Sequence, residues 1–338
     1  MIEVEHLSKL YGSTAAIQDV TFSVEPGEIM GFLGPNGAGK TTTMRILAGY
    51  LPATTGTAKV AGFEVHQDSM AVRQKIGYLP ETPPLYPEMT IEGFLDFVAR
   101  IKGVSAGNRG QRIEYALEKC NLTDRRKTLI RKLSKGFRQR VGIAQAIVHD
   151  PPVIILDEPT VGLDPKQIID VRSLIKGLAG DHTVILSTHI LPEVSAVCDR
   201  ITIIQQGRVV VTNKPENLTS NDSSNISYEI EVDSDYDRLN QVLGQLPNIG
   251  QIEPIGSGVT AEGRLRVRLN AAAPYEMGRE ISYTLVQNDI ALYEMRRLQA
   301  SLEDIFLELT NQTISQEQEI VADPELPSEN SDSSEESV

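Results

Sequence analysis

Residues 34–42, Gly-Pro-Asn-Gly-Ala-Gly-Lys-Thr-Thr, form the feature that most constrains the fold of this 338-residue chain. The run fits the pattern G-x-x-x-x-G-K-[ST], a loop that cradles phosphates between a strand and a helix. Residues 28–33 predict a short buried strand before the loop, and residues 42–48 predict a helix after it. A chance glycine loop is the alternative, and these flanks argue against it. The sequence therefore predicts an α/β fold built around a phosphate-binding loop.

The residue types of this loop fit phosphate binding. Glycines let the backbone N–H groups point inward, with no Cβ to block a close approach. We expect Lys40 to reach the β- and γ-phosphates and the Thr41 hydroxyl to ligate Mg²⁺, while the positive end of the following helix adds attraction. The nucleotide-binding residues predicted from the loop are Gly34, Asn36, Gly37, Gly39, Lys40, Thr41 and Thr42.

A second apolar run, residues 153–156, is followed directly by two carboxylates. A buried strand carries Asp157 and Glu158 to the edge of the sheet, where nucleotides bind in α/β folds. Asp157 suits Mg²⁺, directly or through water, and Glu158 suits polarising an attacking water. Taken alone, the pair is equally consistent with an ordinary strand end. The phosphate loop earlier in the chain favours the catalytic interpretation.

Composition limits the classes of function. The net charge of −14 argues against general nucleic-acid binding. The two cysteines are far apart, which is no disulfide framework and fits a reducing cytosol. No stretch approaches the roughly 18 apolar residues of a membrane span, and the N-terminus is unlike a secretory signal. We therefore expect a cytoplasmic protein without a nucleic-acid partner.

The chain divides by composition. Residues 1–215 mix buried strands with helices, and about 85–150 are dominated by helical spacing. Residues 216–226, rich in Asn, Ser and Thr, are predicted to be a linker. Residues 227–312 follow a βαββαβ order with a further helix at 301–310, which indicates a small ferredoxin-like α+β domain. The acidic, Ser-rich residues 313–338 predict a disordered tail that keeps the protein soluble.

A third motif lies at residues 133–140, Leu-Ser-Lys-Gly-Phe-Arg-Gln-Arg. Here the sequence resembles the ATP-binding cassette (ABC) ATPases, whose signature is Leu-Ser-Gly-Gly-Gln, and Leu133, Ser134 and Gly136 match it. Ser134 can offer a hydroxyl and Gly136 a close backbone approach at a helix N-terminus. Alone, Ser134 would more readily be an N-cap. Its position shortly before Asp157 favours the resemblance.

The remaining motifs follow in the order found in that family. Tyr11 stands where the family places an aromatic residue that stacks on adenine, with an ordinary turn tyrosine as the alternative. Residues 162–165, Gly-Leu-Asp-Pro, match the loop that crosses the dimer interface. His189 matches the histidine that hydrogen-bonds the γ-phosphate, although a lone histidine after a strand is more often structural. The resemblance implies a P-loop NTPase cassette, with a RecA-like core and a helical subdomain.

One position departs from the family pattern. The family usually has Gln where the core meets the helical subdomain, and Glu81 stands there. A carboxylate can still ligate Mg²⁺, and it adds negative charge beside the γ-phosphate. The alternative is that Glu81 is a solvated loop charge that does not reach the metal.

Three variants resemble a narrower group, the ATPase subunits of ABC-2-type exporters, which include gliding-motility, sodium-extrusion and drug-resistance cassettes. They are Leu-Pro-Glu at 79–81, Leu-Ser-Lys-Gly-Phe at 133–137 and Ser-Leu-Glu-Asp-Ile-Phe-Leu at 301–307. The resemblance implies ATP and Mg²⁺ as cofactors and a second copy whose Ser134 and Gly136 close over the bound ATP. It also implies a separate transmembrane permease and a place on the cytoplasmic face of the membrane.

Two other functions stay open. A non-transport ABC switch in translation or DNA repair is less favoured, because such relatives usually carry two cassettes or a coiled-coil insertion and this chain is acidic. A P-loop kinase of small molecules would have no use for the Ser134 motif.

Overall fold

The computed structural model describes residues 1–220, 226–259, 263–271 and 277–298. Its centre is a six-stranded sheet in the order β10-β9-β3-β8-β7-β6, in which β6, β7, β8, β3 and β9 run parallel and β10 is antiparallel to β9. In chain order these strands are β3 (Ile29–Leu33), β6 (Ile76–Leu79), β7 (Val153–Asp157), β8 (Thr183–Thr188), β9 (Arg200–Gln205) and β10 (Arg208–Asn213).

A second, antiparallel sheet covers one face of the central sheet. It has the order β2-β1-β4-β5, with β1 (Ile2–Tyr11), β2 (Thr14–Val24), β4 (Thr55–Val60) and β5 (Phe63–Glu64). The turn between β1 and β2 is short, because residues 10 and 11 pair with residues 15 and 14 and continue the ladder.

The helices of this part are α1 (Lys40–Leu47), α2 (Ser69–Lys75), α3 (Ile91–Ile101), α4 (Ala106–Lys119), α5 (Lys135–Ile147), α6 (Pro165–Lys176), α7 (Leu191–Val197) and α8 (Pro215–Ser220). Three of them begin at side-chain caps, in which the hydroxyl of Thr90 or Ser134 or the carboxylate of Asp164 accepts a backbone N–H of the first turn. The helices α3, α4 and α5 occupy the stretch where helical spacing dominates the sequence.

The central sheet separates two apolar cores. Alternate side chains of β3 serve opposite faces: Ile29 and Leu33 pack in the core that also contains α3 to α7, whereas Met30 and Phe32 pack in the core beneath β1, β2 and α1. Strands covered on both faces read as continuous apolar runs. This explains the apolar runs at 153–156 in β7 and 184–186 in β8, and the polar residues that follow these runs lie together at one edge.

The segment predicted as a linker is partly helical. α8 occupies residues 215–220, and Leu218 on it is buried against the first core. Burying a leucine side chain contributes about 1.5 to 3 kcal/mol, which favours packing of this short polar segment on that core. Composition alone does not indicate this helix, because the segment is rich in polar residues.

Beyond α8 the described residues form an antiparallel sheet in the order β12-β13-β11-β14. Its elements are β11 (Ile226–Asp233), α9 (Tyr236–Leu243), β12 (Ile249–Val259), β13 (Leu265–Ala271), α10 (Gly278–Gln287) and β14 (Ala291–Leu298). Side chains from all four strands and both helices share one apolar core. The helix predicted at 301–310 and the tail predicted at 313–338 lie outside the described residues.

Among the described residues, no helix is both long enough and apolar enough to cross a membrane.

Candidate nucleotide site

The loop between β3 and α1 wraps tightly around its own lysine. Gly37 and Gly39 have φ values of +82° and +102°, which L side chains rarely adopt, and a Cβ on Gly39 would overlap Ile17. Lys40 is buried, and its ammonium donates to the carbonyl oxygens of Gly34 at 2.8 Å and Pro35 at 3.1 Å. The loop therefore has the curled form predicted for a phosphate cradle.

A cavity of about 400 Å³ opens beside this loop. It brings together the loop, the end of β7, the start of the segment after β6 and the turn after β8. Its lining residues are Ala16, Asn36, Gly37, Gly39, Lys40, Thr41, Thr42, Glu81, Glu158, Val161 and His189. Most predicted nucleotide-binding residues of the loop, together with Glu81, Glu158 and His189, therefore face one space.

Asp157 lies at the end of β7, fully buried beside this cavity. The parallel register pairs it with Ser187 on β8, whose hydroxyl donates to Asp157 Oδ1 at 2.8 Å. Burial raises the pKa of the Asp157 carboxyl, the hydroxyls of Ser187 and Thr41 lower it, and the charges of Glu158 and Glu81 raise it. Among the described residues, Asp157 Oδ2 has no hydrogen-bond partner. A buried carboxylate oxygen without a donor suits a cation.

The side chains near this cavity could supply only some of the ligands of a Mg²⁺ ion. No group of three or more His, Cys, Asp or Glu side chains within the described residues is arranged to hold a metal ion by itself. Mg²⁺ is usually held by one or two carboxylates together with phosphate oxygens and water. Thr41, Asp157 and Glu81 match that kind of site, since the phosphates of a nucleotide would complete it.

Glu158 contacts both the lysine of the phosphate loop and the histidine after β8. Its Oε1 lies 3.3 Å from the Lys40 ammonium, and both side chains are buried. His189 Nδ1 lies 3.1 and 3.0 Å from the two carboxylate oxygens. The backbone of Glu158 has φ +50°, an uncommon conformation for a residue with a side chain, and its N–H donates to Ser187 O at 2.9 Å. The turn after β7 thus aims this carboxylate into the cavity.

Ser134 and Gly136 do not line this cavity of the single chain. Ser134 is exposed and caps α5, accepting the Phe137 N–H at 3.4 Å. Gly136 packs against the Gln167 side chain on α6, where a Cβ would overlap the amide. Ser134 and Gly136 match the family signature in sequence. Within one chain, however, they are not among the residues that line the cavity with the phosphate loop.

Tyr11 is also outside the lining. It ends β1 and is 51% exposed, with the Lys9 ammonium 5.4 Å from its ring centroid. The nearest lining residue on this sheet is Ala16 on β2.

Sequence reasoning missed Ser187, Ala16 and Val161 as parts of the site. The sequence offers only a partial signal for Ser187, a polar residue near the C-terminal end of β8; its pairing with Asp157 depends on the register. Ala16 and Val161 carry no chemical signal in the sequence.

Comparisons with known proteins agree with this geometry. Residues 17–161 match the family model described as ABC transporter. The chain is 34% identical to YhcH, an uncharacterized ABC transporter ATP-binding protein of Bacillus subtilis, over 93% of this chain and 97% of YhcH. It is 31% identical to the linearmycin resistance ATP-binding protein LnrL of Bacillus subtilis, over 93% of this chain and 99% of LnrL.

A solved structure is similar as well. It is a dimeric ATP-binding cassette in a post-hydrolysis state bound to ADP and Pi, 27% identical, with a TM-score of 0.58 over 63% of this chain and 98% of that chain. The chain therefore belongs to the ATP-binding proteins of ABC transporters, and it is an ATPase.

Proposed function

We propose that this chain is the ATP-hydrolysing subunit of an ABC-2-type membrane exporter and that it works through ATP-driven pairing of two copies. The single observation that carries the proposal is the division of the predicted site. Lys40, Glu158 and His189 face one cavity, while the exposed Ser134 lies outside it. A site completed by Ser134 and Gly136 of a second copy uses all of these residues. The relative LnrL, named a linearmycin resistance ATP-binding protein, supports a role like that of the drug-resistance cassettes in the exporter group.

Each predicted residue has a role in this mechanism. Lys40 leaves its loop carbonyls and binds the β- and γ-phosphates, and Glu158 orients the attacking water. His189, held at Glu158, donates to the γ-phosphate. Thr41, Asp157 and Glu81 would hold Mg²⁺, which when bound offsets the charge of the phosphates.

The remaining contacts come from outside this cavity. Tyr11 stacks on adenine at the open edge, where half of its surface is accessible. Ser134 and Gly136 of the second copy close over the γ-phosphate from the N-terminus of α5. Hydrolysis then removes the group that both copies hold, and the dimer opens.

The test of this pairing uses Glu158→Gln, which slows hydrolysis and keeps the phosphate loop. Size-exclusion chromatography with light scattering should show a dimer for this variant with saturating Mg-ATP and a monomer with Mg-ADP. Lys40→Ala, which removes the phosphate-binding ammonium, should stay monomeric with either nucleotide. A monomeric Glu158→Gln protein at saturating Mg-ATP would contradict the pairing.

A second cavity supplies a docking site for the proposed permease, in the region between the core and the helical subdomain. Its volume is about 360 Å³, and it is lined by Arg45, Tyr50, Tyr78, Pro80, Pro84, Lys102, Gln145 and His149. In this acidic chain, the lining is free of carboxylates and carries two cationic side chains. We expect it to accept a cytoplasmic helix that presents a carboxylate beside apolar side chains.

The buried polar groups of this groove support a hydrogen-bonding partner. Burial raises the pKa of Tyr78 to about 12 and lowers the pKa of Lys102 to about 8 and of His149 to about 4. The imidazole of His149 is therefore neutral at physiological pH. Among the described residues, His149 Nδ1 has no hydrogen-bond partner.

The permease proposal is tested by purifying the chain from detergent-solubilised membranes and identifying the bound protein by mass spectrometry. A multi-span membrane protein should be recovered in a fixed ratio with the chain. Tyr50→Ala should lower that recovery, whereas Tyr283→Ala, an equally exposed tyrosine on α10, should not. Recovery only with ribosomes or DNA would favour the non-transport switch instead.

We also propose the domain division at residues 1–215 and 227–312, with a ferredoxin-like second domain. The sheet order β12-β13-β11-β14 with two crossover helices supports it, because it is the order expected of a βαββαβ unit. The expected location is the cytoplasmic face of the membrane, held there by the permease. Limited proteolysis should cut near 216–226 and leave two resistant fragments.

A further inference from the structure

A buried carboxylate lies close to the nucleotide cavity without lining it. Glu193 on α7 is 1% exposed. Burying a charged side chain is unfavourable unless polar partners compensate it. One partner is the hydroxyl of Thr188, which donates to Glu193 Oε2 at 3.0 Å. The other is Arg172 on α6, whose Nη2 lies 3.8 Å from Glu193 Oε1.

Thr188 is the residue immediately before His189, and three hydrogen bonds hold it through two of its atoms. Besides donating to Glu193, its Oγ1 accepts the Ile190 N–H at 3.1 Å. Its carbonyl oxygen accepts the Gly34 N–H at 3.4 Å, which ties it to the first residue of the phosphate loop. The backbone on both sides of His189 is therefore fixed by one side chain, and that side chain is fixed by Glu193.

Arg172 extends this contact to the helix that follows the 162–165 loop. Among the described residues, Arg172 Nε and Glu193 Oε1 have no hydrogen-bond partner. The ion pair between these side chains is longer than a hydrogen bond, so a small shift of α6 towards α7 would close it. On its other side α6 is joined to α5 by an ion pair of 2.6 Å between Asp170 and Arg140.

We propose that Glu193 is a positioning residue for hydrolysis: through Thr188 it fixes the turn that aims His189 at the γ-phosphate, and through Arg172 it ties that turn to α6. The inference rests on the role proposed above for His189. Glu193 is not among the described residues that line the cavity. Its removal therefore affects the rate of hydrolysis and leaves nucleotide binding unchanged.

The experiment measures steady-state Mg-ATP hydrolysis by the full chain. Glu193→Ala and Thr188→Val should each lower kcat by about tenfold or more, since a misplacement of about 1 Å at a reacting group has that effect. The KM for Mg-ATP should stay within about threefold. Glu193→Gln keeps an oxygen that accepts the Thr188 hydroxyl, so its kcat should stay within about threefold of the wild type. Glu118→Ala, an exposed carboxylate on α4, is the matched control.

A structural role is separated from positioning by a second set of variants. On a His189→Ala background, adding Glu193→Ala should lower kcat by less than about twofold, because the group it positions is already absent. Circular dichroism melts establish that each variant is folded at the assay temperature. If Glu193→Ala fails to fold, Thr188→Val and Glu193→Gln carry the same comparison.

The outcomes distinguish the two proposals. If His189→Ala retains the wild-type kcat, both the role of His189 and the positioning by Glu193 are refuted. If His189→Ala lowers kcat but Thr188→Val and Glu193→Ala do not, only the positioning role is refuted. Equal losses from Glu193→Ala with and without His189 would also overturn it.

Discussion

The ion pair between Lys40 and Glu158 makes a quantitative prediction about nucleotide affinity. Glu158 Oε1 lies 3.3 Å from the Lys40 ammonium, and both side chains are buried. A bound phosphate must compete with the Glu158 carboxylate for the Lys40 ammonium. Glu158→Gln removes the competing charge, so we expect the variant to bind ADP more tightly than the wild type.

The magnitude follows from the distance. At an effective dielectric constant of about 20, two unit charges separated by 3.3 Å attract by about 5 kcal/mol before desolvation is counted. Most of this is offset, because Lys40 keeps two carbonyl acceptors in its loop. A hydrogen bond to a charged group contributes about 1.5 kcal/mol or more. We therefore expect roughly tenfold tighter ADP binding.

The assay is isothermal titration of ADP into the nucleotide-free chain in EDTA, since ADP without Mg²⁺ separates phosphate binding from pairing and from metal ligation. Glu81→Gln is the matched control: it removes one negative charge from the same cavity, while the Lys40 pair remains. Its affinity should change by less than about threefold. An unchanged or weaker affinity in Glu158→Gln, or an equal gain in Glu81→Gln, would refute the reasoning.

Three further predictions concern pH, packing and thiols. Because burial raises the pKa of Asp157, the stability this group contributes is present below the ordinary carboxyl pKa and is lost as pH rises through the raised value. In urea unfolding without nucleotide, Asp157→Asn should therefore gain stability relative to the wild type as the pH rises above the ordinary carboxyl pKa of about 4. Gly77→Ala would overlap the Ala146 carbonyl oxygen and should lose about 1 to 3 kcal/mol of unfolding free energy, while Gly107→Ala, where a Cβ meets nothing within 4 Å, should lose none. Burial raises the pKa of both cysteine thiols above the usual range, so they should react with a thiol reagent only after unfolding.

The sequence predicts the local parts of the fold well. The strands β7 and β8 appear as apolar runs bounded by turn residues, and the loop at 34–42 begins a helix as its pattern requires. Such features depend on periodicity and turn chemistry within a few residues. The ends of these strands could also be assigned to one edge, because parallel strands end together.

Contacts between distant segments could not be predicted. The 2.8 Å bond from Ser187 to Asp157 depends on the register between two strands, and the pair of Lys40 with Glu158 depends on a turn with positive φ. Helix α8 packs on the first apolar core through Leu218. In each case the deciding interaction joins residues that no local pattern connects, so the sequence shows the chemical groups without their geometry.

The site concentrates features that are unfavourable to folding. Asp157 buries a carboxylate oxygen that has no donor among the described residues, and Glu158 holds a backbone conformation that side chains disfavour. Such arrangements persist where function requires them, and the rest of the structure offsets them. A cation at Asp157 would supply a partner for that oxygen. A nucleotide that brings such a cation and binds only the folded chain should therefore stabilise the cassette.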